Sequence, residues 1–237
     1  VKPLFRSFGL FIRQIATDNM LWAVCLTPII TALIFRYGIP YAETLLCFYF
    51  HRRTILADYY LLFDLWLDLM PSYMLCFASA MVILTERDEN MASYMAVTPV
   101  GKTGYIISRL IFPAAIGLVY AILLTYIFSL TDWNIMLLSA VSLLMSLSSV
   151  AANLLIISFS RNKVEGMAMA KIASLIFLGL VVPFFILTDA QYFASFLPSF
   201  WAAKLSMDEN SLFMIPALLV SSAWILIFRH SFERKLF

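Results

Sequence analysis

The stretch from Leu69 to Pro99 reads LMPSYMLCFASAMVILTERDENMASYMAVTP, and its reading decides the fold. Leu69 to Thr85 carries no charge, and the next four residues, Glu86-Arg87-Asp88-Glu89, are all charged. A helix that crosses hydrocarbon takes about 20 mostly apolar residues and must satisfy its backbone within itself. The apolar run therefore reads as a membrane span and the charged tetrad as its exit into water. Beyond it Met91, Tyr94 and Met95 recur at helical spacing, and Pro99 breaks the pattern before the next apolar run begins near Tyr105. A short amphipathic helix is expected between two spans, with those three side chains free to fill a groove on another protein.

The rest of the chain agrees with a bilayer setting. Of 237 residues, 63% are apolar and only 13% charged, too little polar surface to cover a water-soluble globule. The net charge of +2 shows no clustered basic face, so nucleic acid is not an expected partner. Uncharged runs mark six spans: Asn19 to Phe35, Leu69 to Thr85, Leu110 to Leu130, Ile135 to Ser160, Ile172 to Thr188 and Leu212 to Phe228. Period-2 alternation, the barrel signature, is absent. The expected fold is an all-α polytopic membrane protein, a single transmembrane domain over residues 1–237.

Ahead of the spans, Leu4, Phe8, Phe11, Ile12 and Ile15 form one stripe opposite Lys2, Arg6 and Arg13. Residues 1–18 thus read as a helix lying in the headgroup region. A secretory signal would place its cations before the apolar run, and no A-x-A-like site follows. Counting cations on alternate sides puts twelve of the 16 Lys and Arg inside, Arg87, Lys102, Arg109 and Lys171 among them, against Arg36, Arg52, Arg53 and Lys204 outside. Both termini are expected in the cytosol. The outer His51-Arg52-Arg53 cluster keeps open an alternative, a re-entrant pass over Gly38 to Phe50.

Thr131 to Asn134 is a tight outer turn, so the third and fourth spans form a hairpin, whereas residues 86–104 make a long polar inner loop. Two outer segments, Arg36 to Tyr60 and Asp189 to Ser211, hold aromatics of the kind that favour an interface. Asp64 and Asp68, at i and i+4, share one helical face. Two readings stand: an outer-end charge pair near water and facing Arg52 or Arg53, or part of an outward cavity or ion path.

Catalytic and metal chemistry find little support. Two histidines, His51 and His230, fall on opposite sides, and Cys25, Cys47 and Cys76 form no CxxC. Gly101-Lys102-Thr103 resembles the end of a phosphate loop, but Ala96 stands where that motif needs its first glycine. No catalytic or metal site and no bound cofactor are expected in this chain.

The string Glu86-Arg-Asp-Glu-Asn-Met-Ala-Ser-Tyr-Met-Ala-Val-Thr-Pro-Val, continuing to Ser108-Arg109, resembles the segment between the second and third spans of type-2 ABC exporter permeases, of the multidrug and fluoroquinolone-export or lantibiotic-immunity kind. Asn162-Lys163-Val164-Glu165-Gly166 with Lys171, Leu197-Pro198 with Trp201, and the amphipathic start, matching an elbow helix, extend the likeness over nearly the whole chain. Ser93 and Tyr94 depart from it, standing where small or acidic residues are more usual. The resemblance implies a permease half that dimerises with an identical or related half and works with two copies of a cytosolic ATPase subunit, which holds the ATP and Mg. It implies a coupling helix in which Glu86, Asp88, Glu89, Met91, Tyr94, Met95, Val97, Thr98 and Pro99 meet the ATPase. Arg161, Asn162 and Glu165 supply a second contact. Residues 189–211 become an outer loop with Leu197, Pro198 and Trp201 closing a gate, and spans one, two and five border the substrate path or the dimer contact. The substrate is expected to be lipophilic or amphipathic. The alternative is an ion-coupled secondary transporter using Asp64, Asp68 and Arg109.

Overall fold

The computed structural model describes residues 2–89, 91–96 and 101–236, and the regular structure among these is all helical, without a strand. Helix α1 (Lys2–Thr17) precedes α2 (Asn19–Leu33), which continues through a widened π turn, Ile34–Gly38, into α3 (Ile39–Phe50). Helix α4 (Tyr60–Asp88) leads to the short α5 (Met91–Ala96). Next come α6 (Gly101–Ile106), a second π turn at Ile107–Ile111 and α7 (Phe112–Phe128), followed by α8 (Ile135–Phe159). The last third holds α9 (Lys163–Ala173), α10 (Val182–Phe185), α11 (Pro198–Asp208) and α12 (Met214–Leu236). Among the described residues five segments are long and apolar enough to cross a membrane: Asn19–Phe50, Ala57–Asp88, Gly101–Phe128, Ile135–Phe159 and Ser211–Arg229. The chain is an all-α polytopic membrane protein.

Helix α4 is the hub. Of its most apolar stretch 72% is buried, against 17% in the first segment and 11% in the last, so those two present most of their surface outward. It packs on α2, α7, α8 and α9. Small residues let α7 come close, for a Cβ added at Gly117 would lie 2.9 Å from Ser72 Cα. As expected, α7 and α8 form an antiparallel hairpin.

Each π turn stands two residues before a proline, Pro40 in α3 and Pro113 in α7. Proline has no N–H, and its ring crowds the preceding turn; widening that turn lets the helix pass through rather than stop. The outer segment Arg36 to Tyr60 thereby takes its form, and Gly38 to Phe50, kept open as a re-entrant pass, is helix without a turn-back. Those residues are largely the far part of one rod of 32 residues, about 48 Å long. The rod ends at His51, whose φ of 51° is left-handed, and Glu43 pins the return by accepting from Ile55 N at 2.9 Å and Leu56 N at 2.6 Å.

The expected fifth span, Ile172 to Thr188, is not one uninterrupted helix. After α9 the chain tightens to a 3-10 helix at Ser174–Leu180, and α10 covers only four residues. Close packing is the cause. A Cβ at Gly179 would lie 2.7 Å from Phe200 N, and Ser199 Oγ donates to the Ile176 carbonyl at 2.5 Å. Nor is Asp189 to Ser211 mainly a surface segment: most of α11 is buried, with Phe200 fully so. Phe193 and Phe196 stay exposed, in keeping with an interfacial position.

Asp64 and Asp68 are both buried and face neither Arg52 nor Arg53, which corrects the outer-end pair. Asp64 accepts from Leu130 N at 2.8 Å, Thr131 N at 2.9 Å, Thr131 Oγ1 at 2.5 Å and Trp133 Nε1 at 3.1 Å. It holds the α7–α8 turn. Asp68 accepts from Ser142 Oγ at 2.5 Å and Thr125 Oγ1 at 3.4 Å, tying α4 to both arms of the hairpin.

Candidate functional site

At the end of the bundle where α1 lies, four elements meet beneath α5. Glu86, in the last turn of α4, is fully buried, and so is Arg109 in the second π turn. Arg109 donates from Nη2 to Glu86 Oε1 at 2.6 Å and from Nε to Glu86 Oε2 at 3.1 Å, while Tyr105 Oη donates to Glu86 Oε2 at 2.8 Å. The remaining face of the guanidinium reaches α1, where Nη1 donates to the Ser7 carbonyl at 2.8 Å. Phe11 and Tyr105 flank it, 5.3 and 5.8 Å from ring centre to Cζ. Buried charge is costly unless paired and saturated with hydrogen bonds. Here both charges are matched, so the cluster is a rigid tie among α1, α4 and α6.

Two further ties surround it. Asp18 caps α2 and takes an ion pair from Lys163 Nζ at 2.5 Å, joining the α1–α2 corner to the start of α9. The Lys163 hydrogen bond is the main reason why the Asp18 carboxyl lies below its ordinary value of 3.8, with the Leu21 and Met20 N–H groups adding to it against a smaller opposing effect of burial. Arg87 Nη2 donates to the Ser160 carbonyl at 2.6 Å, joining α4 to the end of α8. Between these ties lies a cleft of about 390 Å³, lined by Gln14, Thr17, Asp18, Thr85, Glu89 and Lys163 with two apolar residues.

Helix α5 stands on this base. Met91 and Met95 are half-buried, with Met95 packed against the core, and Tyr94 is 72% exposed. The inner loop is shorter than residues 86–104, because α4 runs to Asp88 and α6 begins at Gly101. Glu86 is therefore corrected: buried under Arg109 and Tyr105, it has no face for another protein. Asp88 and Glu89 are exposed beside α5. Val97, Thr98 and Pro99 lie outside the described residues.

At the head of α9, Asn162 Oδ1 accepts from Glu165 N at 2.9 Å, and Glu165 Oε2 accepts from Arg161 N at 2.7 Å. This reciprocal cap holds Arg161 and Glu165 at the surface of the same end. Leu197 and Pro198 start α11 beside Gly179, and Trp201 Nε1 donates to the Ser195 carbonyl at 2.7 Å. Sequence reasoning missed Tyr105 and Ser7, and it quoted Lys163 and Arg109 among the inner cations and family-like motifs without pairing them with Asp18 and Glu86. The available signal was an acid closing one span and a base opening the next, a pair that the membrane setting forces together.

A bundle of apolar helices with a charged, buried tie at one end defines a multi-pass membrane protein. The sequence model of the family described as "fluoroquinolones export permease protein Rv2686c-like" matches residues 11–229, and the chain belongs to this family of ABC exporter permeases. Comparison with curated protein sequences gave no match. Membership implies, in general terms, a non-enzymatic membrane subunit with an ATPase partner and a dimeric arrangement.

Proposed function

We propose that this chain is the membrane half of an ATP-driven exporter, pairing with an identical or related half and with two copies of a cytosolic ATPase that holds ATP and Mg. The observation that carries this reading is the mounting of α5. A six-residue helix with Tyr94 exposed packs against α4 and α6, the helices that carry Glu86 and Tyr105 of the buried cluster. In this proposal Asp88, Glu89, Met91, Tyr94 and Met95, with Val97, Thr98 and Pro99, seat in a groove of the ATPase, and Arg161, Asn162 and Glu165 give the smaller contact. Closure of the ATPase pair on ATP displaces α5. The buried ties pass that displacement to α1, α4 and α6 as one body, shifting the population between inward- and outward-facing states. Leu197, Pro198 and Trp201 act at the outer gate. The outward faces of α2 and α12 are candidates for the contact with the second half. The substrate is lipophilic or amphipathic; a fluoroquinolone, the drug class in the family's description, has that character. Both termini lie in the cytosol.

The ion-coupled alternative has less support, because Asp64 is saturated by the hairpin turn and Arg109 by Glu86, which leaves Asp68, buried with Oδ2 unpartnered, as its one remaining candidate of the three. The test is a pull-down of tagged permease from native membranes. Wild type is expected to bring an ATPase with it, and Glu89→Lys with Tyr94→Ala to lose it by tenfold or more while keeping its melting temperature. Undiminished capture by that variant, or transport by the isolated chain without nucleotide, overturns the reading.

A further inference from the structure

One face of α4 is polar along the whole span. Asp64, Asp68, Ser72, Ser79 and Glu86 follow at spacings of four and seven, which places them within about 80° of the helix circumference. Ser79 and the three acids face the rod of α6 and α7 or the turn that follows it. Asp64 accepts from Leu130, Thr131 and Trp133, Ser79 Oγ donates to the Arg109 carbonyl, and Glu86 is held by Arg109 and Tyr105. The two ends of the stripe are saturated. In its middle Asp68 Oδ2 and Ser72 Oγ, one turn apart and fully buried, have no partner.

Asp68 is closed in on both sides. A Cβ added at Gly117 would lie 2.9 Å from Ser72 Cα, so α4 and α7 touch one turn inward, and the hairpin turn is fastened to Asp64 one turn outward. Its two donors, Ser142 Oγ and Thr125 Oγ1, both go to Oδ1. Of the helices around it, α8 has no ionisable side chain, α7 has only Tyr120 and the exposed Tyr126, and α2 has only Cys25. The cations of the neighbouring elements are engaged elsewhere or face outward: Arg36 donates to the Ser129 carbonyl, Lys204 pairs with Asp208, Lys163 pairs with Asp18, and Lys171 is exposed. A carboxylate with no counter-ion and one oxygen that no donor reaches is the form an apolar interior tolerates least. A proton on that oxygen removes the charge and leaves a neutral hydroxyl, whose burial costs far less. The two oxygens already differ as those of an acid do, Oδ1 accepting like a carbonyl and Oδ2 bare.

We propose that Asp68 Oδ2 is a proton-binding site, so that at neutral pH the chain crosses the bilayer with Asp68 as a carboxylic acid, the proton being taken from water before the helices close. This goes beyond the exporter reading and does not rest on it, since the proton needs neither nucleotide nor ATPase. The experiment places the full chain in a bilayer of neutral lipid at neutral pH and records the carbonyl stretch of protonated carboxyl groups by infrared difference spectroscopy, with and without carboxyl-labelled aspartate. Wild type is expected to show a protonated aspartate band that shifts on labelling. The band is expected to be lost in Asp68→Asn and kept in Asp64→Asn. Asp68→Glu keeps an acid at the site but takes it out of the aspartate label, and so assigns the band even where the asparagine variant does not fold. A folded wild type without the band, a band that survives in either Asp68 variant, or a band that appears only when sodium is replaced by choline, which would make the occupant a metal ion, overturns the proposal.

Discussion

At Glu86 a carboxylate that closes an apolar span is drawn back inside by three partners. Removing its charge leaves the Arg109 guanidinium buried without a counter-ion, which costs about 3–5 kcal/mol in comparable sites. Glu86→Gln is therefore expected to lower the unfolding free energy in detergent by that amount. Glu86→Leu combined with Arg109→Met is expected to recover more than half of it, because apolar pairs of similar size replace buried ion pairs well. Equal losses in the two variants would show that hydrogen bonds from Tyr105 and Ser7, rather than uncompensated charge, dominate the cluster. If the proposed function holds, the apolar pair keeps its ATPase but transports more slowly, since the tie it replaces is directional and packing is not. The run Glu86-Arg87-Asp88-Glu89 illustrates what was not legible at this scale. Four charged neighbours look alike in sequence, yet Glu86 is buried, Arg87 is half-buried against Ser160, and Asp88 and Glu89 meet solvent. Only the facing helix, 23 positions further on, sorts them.

Among the elements, the two π turns follow one rule. A proline at position i strips the partner from the carbonyl at i−4, which for Pro113 is that of Arg109. Ser79 Oγ, from α4, donates to that carbonyl. The prediction is a double-mutant cycle. Ser79→Ala is expected to cost about 1–3 kcal/mol by leaving a buried acceptor unmet. In a Pro113→Ala background, where residue 113 regains its N–H, the same change is expected to cost less than half as much. Denaturant unfolding of the four chains measures it, and a cost independent of residue 113 would assign it to Ser79 packing alone. The Asp18–Lys163 tie carries a pH dependence. The Asp18 carboxyl lies below 3.8, so the tie contributes fully above that ordinary value and is lost as pH falls through the lower folded value. The melting difference between wild type and Lys163→Ala, worth about 1 kcal/mol or less for a partly exposed pair, is expected to be constant from neutral pH to about 5 and to vanish in stronger acid. Hairpin, inner loop and first helix were readable from apolar runs and turn lengths. The 3-10 stretch at Ser174–Leu180 was not, because hydropathy sees that Ile172 to Thr188 is greasy but cannot see Ser199 and Phe200 pressing on Gly179.

For the molecule as a whole, hydropathy made the membrane class accessible, and the order of loose motifs pointed to the exporter family, whereas the hub position of α4 was not legible. What escaped was the division of charge between solvent and interior. One of the two readings of Asp64 and Asp68 placed them near water because they lie close to a span's end, whereas the turn after α7 supplies Asp64 with donors from residues 66 to 69 positions away and Ser142 and Thr125 supply Asp68. Long-range partners of this kind leave no periodicity to detect. The same end of the bundle holds a more accessible charge cluster. The rod of α2 and α3 exceeds a hydrocarbon layer of about 30 Å by more than half its thickness, and just past its tip stand exposed Arg52 and Arg53. Such a tip is a natural cleavage point for trypsin. Intact cells treated with the enzyme are expected to yield a single early cut there if the tip faces the medium, whereas cleavage only after lysis would place it in the cell interior and reverse the assigned direction of every helix.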